Sequence, residues 1–405
     1  MDEQISSKFY IDLEDLYGAH NYNPLDVVIT RARGIWVWDL EGKKYLDFLS
    51  AYSAVNQGHC HPRIIKALKR QSEKVTLTSR AFRNDQWPLL AKEMCDLTGF
   101  QMVLPMNSGA EAVETAVKAA RKWGYEKKGI PEDQAEIIVC SDNFHGRTIP
   151  ISSFSTEPLY RKNFGPITPG FVVVPFGSEK DLEEAITPNT TAFLVEPIQA
   201  EVGILFPPEG YLKRAKEICE NNNVLFIADE IQTGLGRTGK LFACEHEDVK
   251  PDMLIVGKSL GGGVYAISAV LSDREVLELL TPGTHGSTFG ANPLASAVAR
   301  ESLKVLQEEE LVERAAELGK YFLAKLQSIR SHHIQEVRGI GLLIGIELKP
   351  EAGGARRFCE ALKAEGLLCK ETHDNVIRFS PPLVIKQKDL QWAFKKIKKV
   401  FKALD

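Results

Sequence analysis

The chain has 405 residues, and its 50 Lys or Arg against 54 Asp or Glu give a formal net charge of -4. This near balance excludes the strongly basic, clustered surface of a nucleic-acid-binding protein. Hydrophobic residues make up 44% of the chain, which is typical of a globular protein and too high for a disordered one. The length predicts two or three domains.

The cysteines and the N-terminal segment narrow the class further. The seven cysteines form no C-x-x-C pair, which argues against a zinc site or a disulfide framework. The N-terminal segment is acidic and lacks the apolar core of a signal peptide, and no apolar run is long enough for a membrane span. We therefore expect a cytoplasmic protein with no metal and with neither nucleic acid nor membrane as a partner.

Taken in chain order, the first predicted element is a β-hairpin, because apolar runs at 35–39 and 45–48 flank a glycine-containing turn. From about residue 100 to 300, short apolar runs alternate with amphipathic stretches such as 111–123. This alternation predicts a large α/β domain with a mostly parallel, doubly wound sheet. The predicted strands are 102–106, 136–141, 171–175, 192–196, 224–228, 253–257 and 267–271.

After about residue 300 the pattern changes to that of a smaller α+β domain. The predicted elements are a long helix over 303–329, a strand over 337–348, a helix over 356–365, a strand over 375–383 and a basic helix over 388–402. We expect the N-terminal hairpin to join them. The predicted division is a large domain over 48–302 and a discontinuous small domain from 1–47 and 303–405.

Two of the predicted strands end in charged residues that can share one site. Asp229 follows the apolar run 224–228, and Lys258 follows 253–257. Ligands of open α/β sheets bind at the carboxyl ends of strands. The pair fits pyridoxal phosphate, which needs an amine for a Schiff base and a carboxylate that keeps its pyridine nitrogen protonated. The alternative is a helix-capping Asp229 and a solvated Lys258.

A turn of small residues between strand 102–106 and the following helix predicts a phosphate cradle. Ser108, Gly109 and Ala110 lie where the free N–H groups and the dipole of the helix face an anion. An ordinary helix cap is the alternative.

The loop after strand 136–141 carries groups suited to a flat ring and a carboxylate. Phe144 can stack on a flat cofactor, and Arg147 offers a planar fork to a carboxylate. The alternatives are core packing for Phe144 and a surface ion pair for Arg147. His145 is interpreted as a loop histidine rather than a catalytic one. The loop over 285–293 is rich in small and hydroxyl residues, so it can supply a hydroxyl to a phosphate.

These motifs, taken in order, resemble the class III (ω-)aminotransferases of the fold-type I pyridoxal phosphate family, from residue 20 to the C-terminus. The motifs are Asn-Ser-Gly-Ala-Glu at 107–111, Asn-Phe-His-Gly-Arg-Thr at 143–148, Val-Glu-Pro-Ile-Gln at 195–199, Ala-Asp-Glu-Ile-Gln-Thr-Gly at 228–234, Gly-Lys-Ser-Leu-Gly-Gly-Gly at 257–263 and His-Gly-Ser-Thr-Phe-Gly-Ala-Asn-Pro at 285–293. Within the family, segments 17–24, 49–59 and 77–82 resemble the ornithine δ-aminotransferase group.

The resemblance implies a reaction with two small-molecule substrates. L-ornithine would give its δ-amino group to 2-oxoglutarate, yielding glutamate 5-semialdehyde and glutamate in a ping-pong mechanism. Acetylornithine or 4-aminobutyrate as the amino donor is the near alternative. A dinucleotide-binding oxidoreductase is a rival from another class, but no G-x-G-x-x-G follows an early strand. A catalytically silent protein on the same scaffold is a third possibility, although every expected cofactor contact is present.

The resemblance also implies the cofactor contacts. Lys258 would bond to pyridoxal phosphate and then carry the proton, while Asp229 would pair with the pyridine nitrogen. The other implied contacts are Phe144 and Ile231 on the two faces of the ring, Gln232 at its phenolic oxygen, Glu196 near the ring, Ser108, Gly109 and Ala110 at the phosphate, and Thr288 at the phosphate of a neighbouring subunit. Because of Thr288, we expect a homodimer or a higher homo-oligomer.

On the substrate side, the resemblance implies that Tyr22 and Arg147 hold the α-amino and α-carboxylate ends of ornithine and that Tyr52 lines the same pocket. Glu201 would neutralise Arg378 when ornithine is bound and release it to the α-carboxylate of 2-oxoglutarate. A static salt bridge is the alternative.

Two positions depart from the family pattern, because Ala200 and Ala291 stand where glycine is expected. Alanine is tolerated there only if its φ is negative.

Overall fold

A computed structural model describes residues 6–405 of the chain, and its centre is a seven-stranded sheet. The strand order is β4-β10-β9-β8-β7-β5-β6, in which β10 runs antiparallel to both neighbours and the other pairs are parallel. The mostly parallel sheet is therefore confirmed. Its strands are β4 (Met102–Met106), β5 (Glu136–Cys140), β6 (Phe171–Val174), β7 (Thr190–Val195), β8 (Leu225–Asp229), β9 (Met253–Val256) and β10 (Ser268–Ser272).

Both faces of this sheet are buried, which explains the continuous apolar runs. In β7, Phe193 packs into one hydrophobic cluster and Leu194 into another on the opposite face. The helices of this part of the chain are α3 (Pro62–Ser72), α4 (Trp87–Thr98), α5 (Gly109–Trp123), α6 (Ile149–Phe154), α7 (Pro158–Arg161), α8 (Glu179–Ala185), α9 (Tyr211–Asn221), α10 (Arg274–Leu277) and α11 (Pro293–Glu308). No helix within 6–405 is long and apolar enough to cross a membrane.

Two smaller sheets join the ends of the chain. The first has the order β1-β2-β3-β13 and the second β11-β12-β15-β14. The predicted hairpin is formed by β2 and β3, and β3 pairs in parallel with β13, so that Leu46 lies opposite Leu367. Their strands are β1 (Ile29–Arg33), β2 (Trp36–Asp39), β3 (Lys44–Asp47), β11 (Ile334–Ile340), β12 (Leu343–Leu348), β13 (Leu367–Leu368), β14 (Lys370–Thr372) and β15 (Val376–Phe379).

The helices outside the central region are α1 (Ser7–Tyr17), the single turn α2 (Ser50–Ser53), α12 (Leu311–Gln327), α13 (Arg356–Ala364) and α14 (Gln387–Leu404). Pairing of β3 with β13 is what a discontinuous small domain requires. The division into 48–302 and the two flanking segments, 1–47 and 303–405, stays a prediction, and residues 1–5 lie outside the described residues.

Two predicted elements were wrong in their extent. The helix over 303–329 is interrupted between α11 and α12, where Glu310 adopts a left-handed φ of 52°. The strand over 337–348 is a hairpin of β11 and β12 that turns at Gly341, with a φ of 55°. A Cβ there would lie 2.3 Å from the carbonyl carbon of Thr238, so both the turn and the packing require glycine.

Candidate active site

A cavity of about 210 Å³ at the carboxyl ends of β5, β7, β8 and β9 brings together most of the predicted cofactor residues. This is where parallel α/β sheets bind their ligands. The lining residues are Gly109, Ala110, Phe144, His145, Gly146, Glu196, Asp229, Ile231, Gln232, Thr233 and Lys258. Ser108 and Thr288 are the predicted cofactor residues that do not line it.

The predicted phosphate cradle is also a helix cap. Ser108 Oγ accepts a hydrogen bond from the N–H of Glu111 at 3.2 Å, and the Glu111 carboxylate accepts one from the N–H of Ser108 at 2.6 Å. The Ser108 hydroxyl therefore holds the first turn of α5. Gly109 and Ala110 begin the helix at the cavity wall, where the positive end of its dipole favours an anion.

Asp229, the last residue of β8, is held by a buried histidine. His145 Nδ1 donates to Asp229 Oδ2 at 2.6 Å, and the N–H of Ile231 donates to Oδ1 at 3.1 Å. Burial by itself lowers the pKa of His145, but the hydrogen bond and the charge of Asp229 outweigh it and raise that pKa. The sequence interpretation missed this pairing, because His145 lies in the predicted loop yet is fully buried. His145 and the N–H of Ile231 therefore hold the carboxylate of Asp229 in place beside the cavity.

Lys258 follows β9 and is partly buried at the cavity wall. Its φ of 44° is left-handed, a strained conformation that places a side chain at a functional position. Burial lowers the pKa of Lys258 to about 8, against the opposing effect of the carboxylates of Glu201, Asp229 and Glu196. The amine is therefore nearer to its neutral, nucleophilic form than an exposed lysine is.

Glu196, directly after β7, fixes the loop that carries Phe144. Its Oε1 accepts a hydrogen bond from the N–H of Phe144 at 2.8 Å. Burial raises the pKa of Glu196 to about 8, with a further upward effect of Asp229. A carboxyl group in this position is thus able to hold a proton near neutral pH.

The predicted Glu201–Arg378 pair forms, and Gln232 completes it. Two Arg378 nitrogens lie 3.2 and 3.3 Å from Glu201 Oε1, and the guanidinium also donates to Ala200 O and to Gln232 Oε1, both at 2.7 Å. Gln232 Nε2 donates to the same Glu201 oxygen at 3.0 Å. Both ends of the Gln232 amide are therefore engaged by the pair, whereas the sequence interpretation assigned it to the cofactor.

The two members of this pair differ in freedom. The Arg378 side chain is 1% exposed and that of Glu201 is 24% exposed. Burial raises the pKa of Glu201, but Arg378 and Lys258 together with the Gln232 hydrogen bond outweigh it and lower that pKa. Glu201 is thus a carboxylate, and Arg378 keeps two other acceptors if Glu201 moves.

Tyr52 lies against Arg378 on an unusual turn. Residues 50–53 all have left-handed φ values, from 45° to 72°, a conformation that costs about 1–2 kcal/mol for each L-residue. Asp47 Oδ1 supports the turn by accepting from the N–H groups of Leu49 and Ser50, at 2.8 and 3.0 Å. The Tyr52 ring centre is 5.4 Å from the guanidinium carbon of Arg378, and the role of Tyr52 in substrate binding stays a prediction.

The remaining substrate candidates lie toward the solvent. Arg147 is exposed, and its guanidinium carbon is 4.3 Å from the ring centre of Tyr160, a neighbour that the sequence interpretation missed. Tyr22 is 76% exposed. Burial raises the pKa of Tyr52, and the charge of Glu201 contributes further to this rise.

The two departures from the family pattern have opposite outcomes. Ala200 is fully buried and is not among the described residues with positive φ, so alanine is tolerated there. Ala291 has a φ of 64° and violates the condition stated for it. Thr288, three residues earlier, is exposed. Its predicted role toward a neighbouring subunit stays a prediction.

The residues of the cavity fit pyridoxal phosphate. Bare backbone at Gly109 leaves room beside the α5 N-terminus, since a Cβ there would lie 3.1 Å from Ile231 Cδ1. Phe144 and Ile231 offer apolar surfaces, Asp229 offers an ionised acceptor, and Lys258 offers an amine of lowered pKa. Pyridoxal phosphate needs an anion site for its phosphate, apolar walls for its ring, an acceptor for its pyridine nitrogen and an amine for its aldehyde, and the cavity offers all four.

Comparison with known proteins gives the family. The family model for class-III aminotransferases matches residues 17–401. The ornithine aminotransferase of Halalkalibacterium halodurans is 60% identical over 399 residues, which cover 98% of this chain and all of that protein.

Solved structures agree. An ornithine aminotransferase of Toxoplasma gondii, described with partial occupancy of pyridoxal phosphate at its active site, has a TM-score of 0.98 at 48% identity, over 99% of this chain and 95% of that one. The acetylornithine aminotransferase of Elizabethkingia anophelis has a TM-score of 0.90 at 50% identity, over 98% of this chain and all of that one. The chain is a member of the class-III aminotransferase family.

Proposed function

We propose that this chain is a pyridoxal phosphate-dependent ornithine δ-aminotransferase. It moves the δ-amino group of L-ornithine to 2-oxoglutarate and so gives glutamate 5-semialdehyde and glutamate. The observation that carries the proposal is the buried Arg378 with its releasable partner Glu201, within electrostatic reach of Lys258. The relatives named ornithine aminotransferase support the same reaction.

The Glu201–Arg378 pair lets one site accept two substrates that differ in charge. Ornithine must react at its δ-amine, whereas 2-oxoglutarate must present a carboxylate close to its reacting carbon. With ornithine bound, Glu201 neutralises Arg378, so no free positive charge attracts the α-carboxylate of ornithine to the wrong end of the site. With 2-oxoglutarate bound, Glu201 moves away, Arg378 holds the α-carboxylate, and Arg147 holds the distal one.

Replacing Glu201 by a substrate carboxylate costs less free energy than breaking the Glu201–Arg378 pair with no replacement. Leaving a buried charge without its partner costs about 3–5 kcal/mol. A substrate carboxylate that takes the place of Glu201 avoids most of this cost. The bonds from Arg378 to Ala200 O and Gln232 Oε1, both 2.7 Å, hold the guanidinium in place during the exchange.

The other side chains prepare the chemical step. When bound, pyridoxal phosphate supplies an aldehyde and a ring that stabilises negative charge on the carbon that loses its proton. Asp229, which accepts from His145 Nδ1, would hold the protonated pyridine nitrogen. Lys258 Nζ takes the proton from the substrate carbon and returns it. Phe144 and Ile231 restrict water around the ring.

We further propose that the active unit is a homodimer or a larger homo-oligomer and that the protein is cytoplasmic. Thr288 is exposed and does not line the cavity of its own chain, and the neighbouring Phe289 is 48% exposed. Both facts support a role at a subunit interface. Sedimentation combined with activity tests the assembly, and a fully active monomer would contradict it.

Steady-state turnover of three amino donors tests the function. L-ornithine should give the highest kcat/KM, ahead of acetylornithine, which is the alternative donor that the Elizabethkingia anophelis relative favours, and of 4-aminobutyrate. Acetylornithine carries an acetyl group on its α-amine, which adds bulk near Tyr22 and Tyr52. 4-Aminobutyrate has a carboxylate but lacks the α-amino group of ornithine. Equal or better turnover of either competitor would overturn the ornithine assignment.

A further inference from the structure

A second cavity of about 410 Å³ lies apart from the active site and shares no lining residue with it. It is formed by the end of β1, segment 57–62, the break between α11 and α12, and segment 384–386. The charged and titratable residues on its wall are Arg33, His59, Cys60, His61, Glu309, Arg314 and Lys386.

The charge on this wall is positive. Three cations on the wall form no salt bridge with any residue of the described chain, namely Arg33, Arg314 and Lys386. Elsewhere, Arg63, Arg300 and Arg338 each pair with a glutamate. Glu309 is the single carboxylate on the wall, and its Oε1 lies 3.1 Å from His61 Nε2. Arg314 also donates to Ile385 O at 2.8 Å. Three cations against one carboxylate around one concave space favour a ligand with more than one negative charge.

Two helices begin at the same wall. Pro62 is the first residue of α3 and Leu311 is the first residue of α12, and neither N-terminus has a side-chain cap. The positive ends of both helix dipoles therefore add to the charge of the side chains.

Two further atoms on lining residues lack a hydrogen-bond partner. They are Gln57 Oε1, on a residue that is 1% exposed, and His61 Nδ1. His61 Nε2 lies 3.1 Å from Glu309 Oε1, so the histidine ring is held beside that carboxylate. Both unpartnered atoms are buried beneath the cavity wall, so a ligand in the cavity meets the cations of the wall. A phosphate group carries nearly two negative charges near neutral pH and presents several acceptor oxygens to such cations.

We propose that this cavity binds a phosphate-type oxyanion, either inorganic phosphate or the phosphate group of a small phosphomonoester. Two contacts connect it to the active site. Gln57 Nε2 donates to Ser259 O at 3.1 Å, next to Lys258. His59 Nε2 donates to Asp47 Oδ2 at 2.7 Å, and Asp47 supports the turn that carries Tyr52.

The test is calorimetric titration of inorganic phosphate into the holoenzyme at constant ionic strength. Saturating 2-oxoglutarate is present to occupy the substrate carboxylate sites, so that only a separate site is observed. One saturable site per chain is expected. The double variant Arg33→Gln/Lys386→Gln should bind phosphate about 100-fold more weakly, because each of the two lost charge-assisted hydrogen bonds weakens binding by about tenfold.

Lys388→Gln is the matched control, since Lys388 is exposed on the first turn of α14 outside the cavity wall. It should bind phosphate like the unchanged protein. Glycerol phosphate, titrated in parallel, shows whether a phosphomonoester or free phosphate is preferred. Absence of saturable phosphate binding, or equal binding by the double variant, would overturn the proposal, and neither result bears on the aminotransferase assignment.

Discussion

The cofactor side and the substrate side of the active site are built in different ways. Asp229 ends β8, Glu196 directly follows β7, and Lys258 lies two residues after β9, so the parallel sheet places all three at the cavity wall. Arg147 and Tyr22 are exposed, and Glu201 is the more exposed member of its pair. One side holds a single cofactor in a constant geometry, and the other must accept two different substrates in turn.

The largest effect is expected on the fixed side. Lys258→Ala removes both the amine and the proton carrier, so turnover should fall by about 10²–10⁴-fold or more. Steady-state assays of the variant check this, with Ser259→Ala as a neighbouring control. Near-normal turnover of Lys258→Ala would show that the proton is carried by another group.

On the adaptable side, Arg378→Gln should act selectively. Loss of the buried cation removes the α-carboxylate site of 2-oxoglutarate, so KM for this substrate should rise by about 100-fold, in line with the roughly 3 kcal/mol of a buried charged contact. KM for ornithine should rise much less, because ornithine binds with Arg378 already neutralised. Equal increases for both substrates would contradict the division of roles.

The lowered pKa of Lys258 predicts a pH dependence. Only the neutral amine attacks the cofactor aldehyde, so the rate at which apoenzyme is reconstituted with pyridoxal phosphate should rise with pH and level off above about 8. Stopped-flow absorbance measures this rate. If the rate kept rising until the pH reached roughly 10.4, the pKa of an ordinary lysine, burial would not shift the pKa of Lys258.

The smallest expected effects are the changes in stability on replacing Ala291 and Ala200 by glycine. Ala291→Gly relieves a left-handed residue worth about 1–2 kcal/mol but adds about 0.4–1 kcal/mol of chain entropy on unfolding, so the net gain in stability is expected to lie between zero and about 1.6 kcal/mol. Ala200→Gly brings only the entropy cost and should destabilise. Denaturant unfolding of the two variants checks the signs, and a loss of stability in both would contradict the strain at Ala291.

The cofactor side was predictable because its residues lie at strand ends, and apolar runs mark those ends in the sequence. The substrate side depends on contacts between distant segments. Ser380, for example, donates from its hydroxyl to Leu49 O at 3.0 Å, which attaches the Tyr52 turn to the strand of Arg378. No local pattern reveals such a contact, and the resemblance supplied the residues without this geometry.

The other errors of the sequence interpretation have different causes. The partnership of His145 with Asp229 joins β5 and β8, which are separated by β7 in the sheet, so sequence order gives no sign of it. The break between α11 and α12 contains neither proline nor glycine, and the apolar period continues across Glu310. At 337–348 the signal was present, because Gly341 marks the turn of the hairpin.

The central claim is that Glu201 controls access to Arg378, and Glu201→Ala tests it most directly. Single-turnover measurements follow each half-reaction separately. The ornithine half-reaction should slow, because an unneutralised Arg378 attracts the α-carboxylate of ornithine, while the glutamate half-reaction should stay the same or quicken. Equal slowing of both half-reactions would contradict the claim and would indicate a static salt bridge.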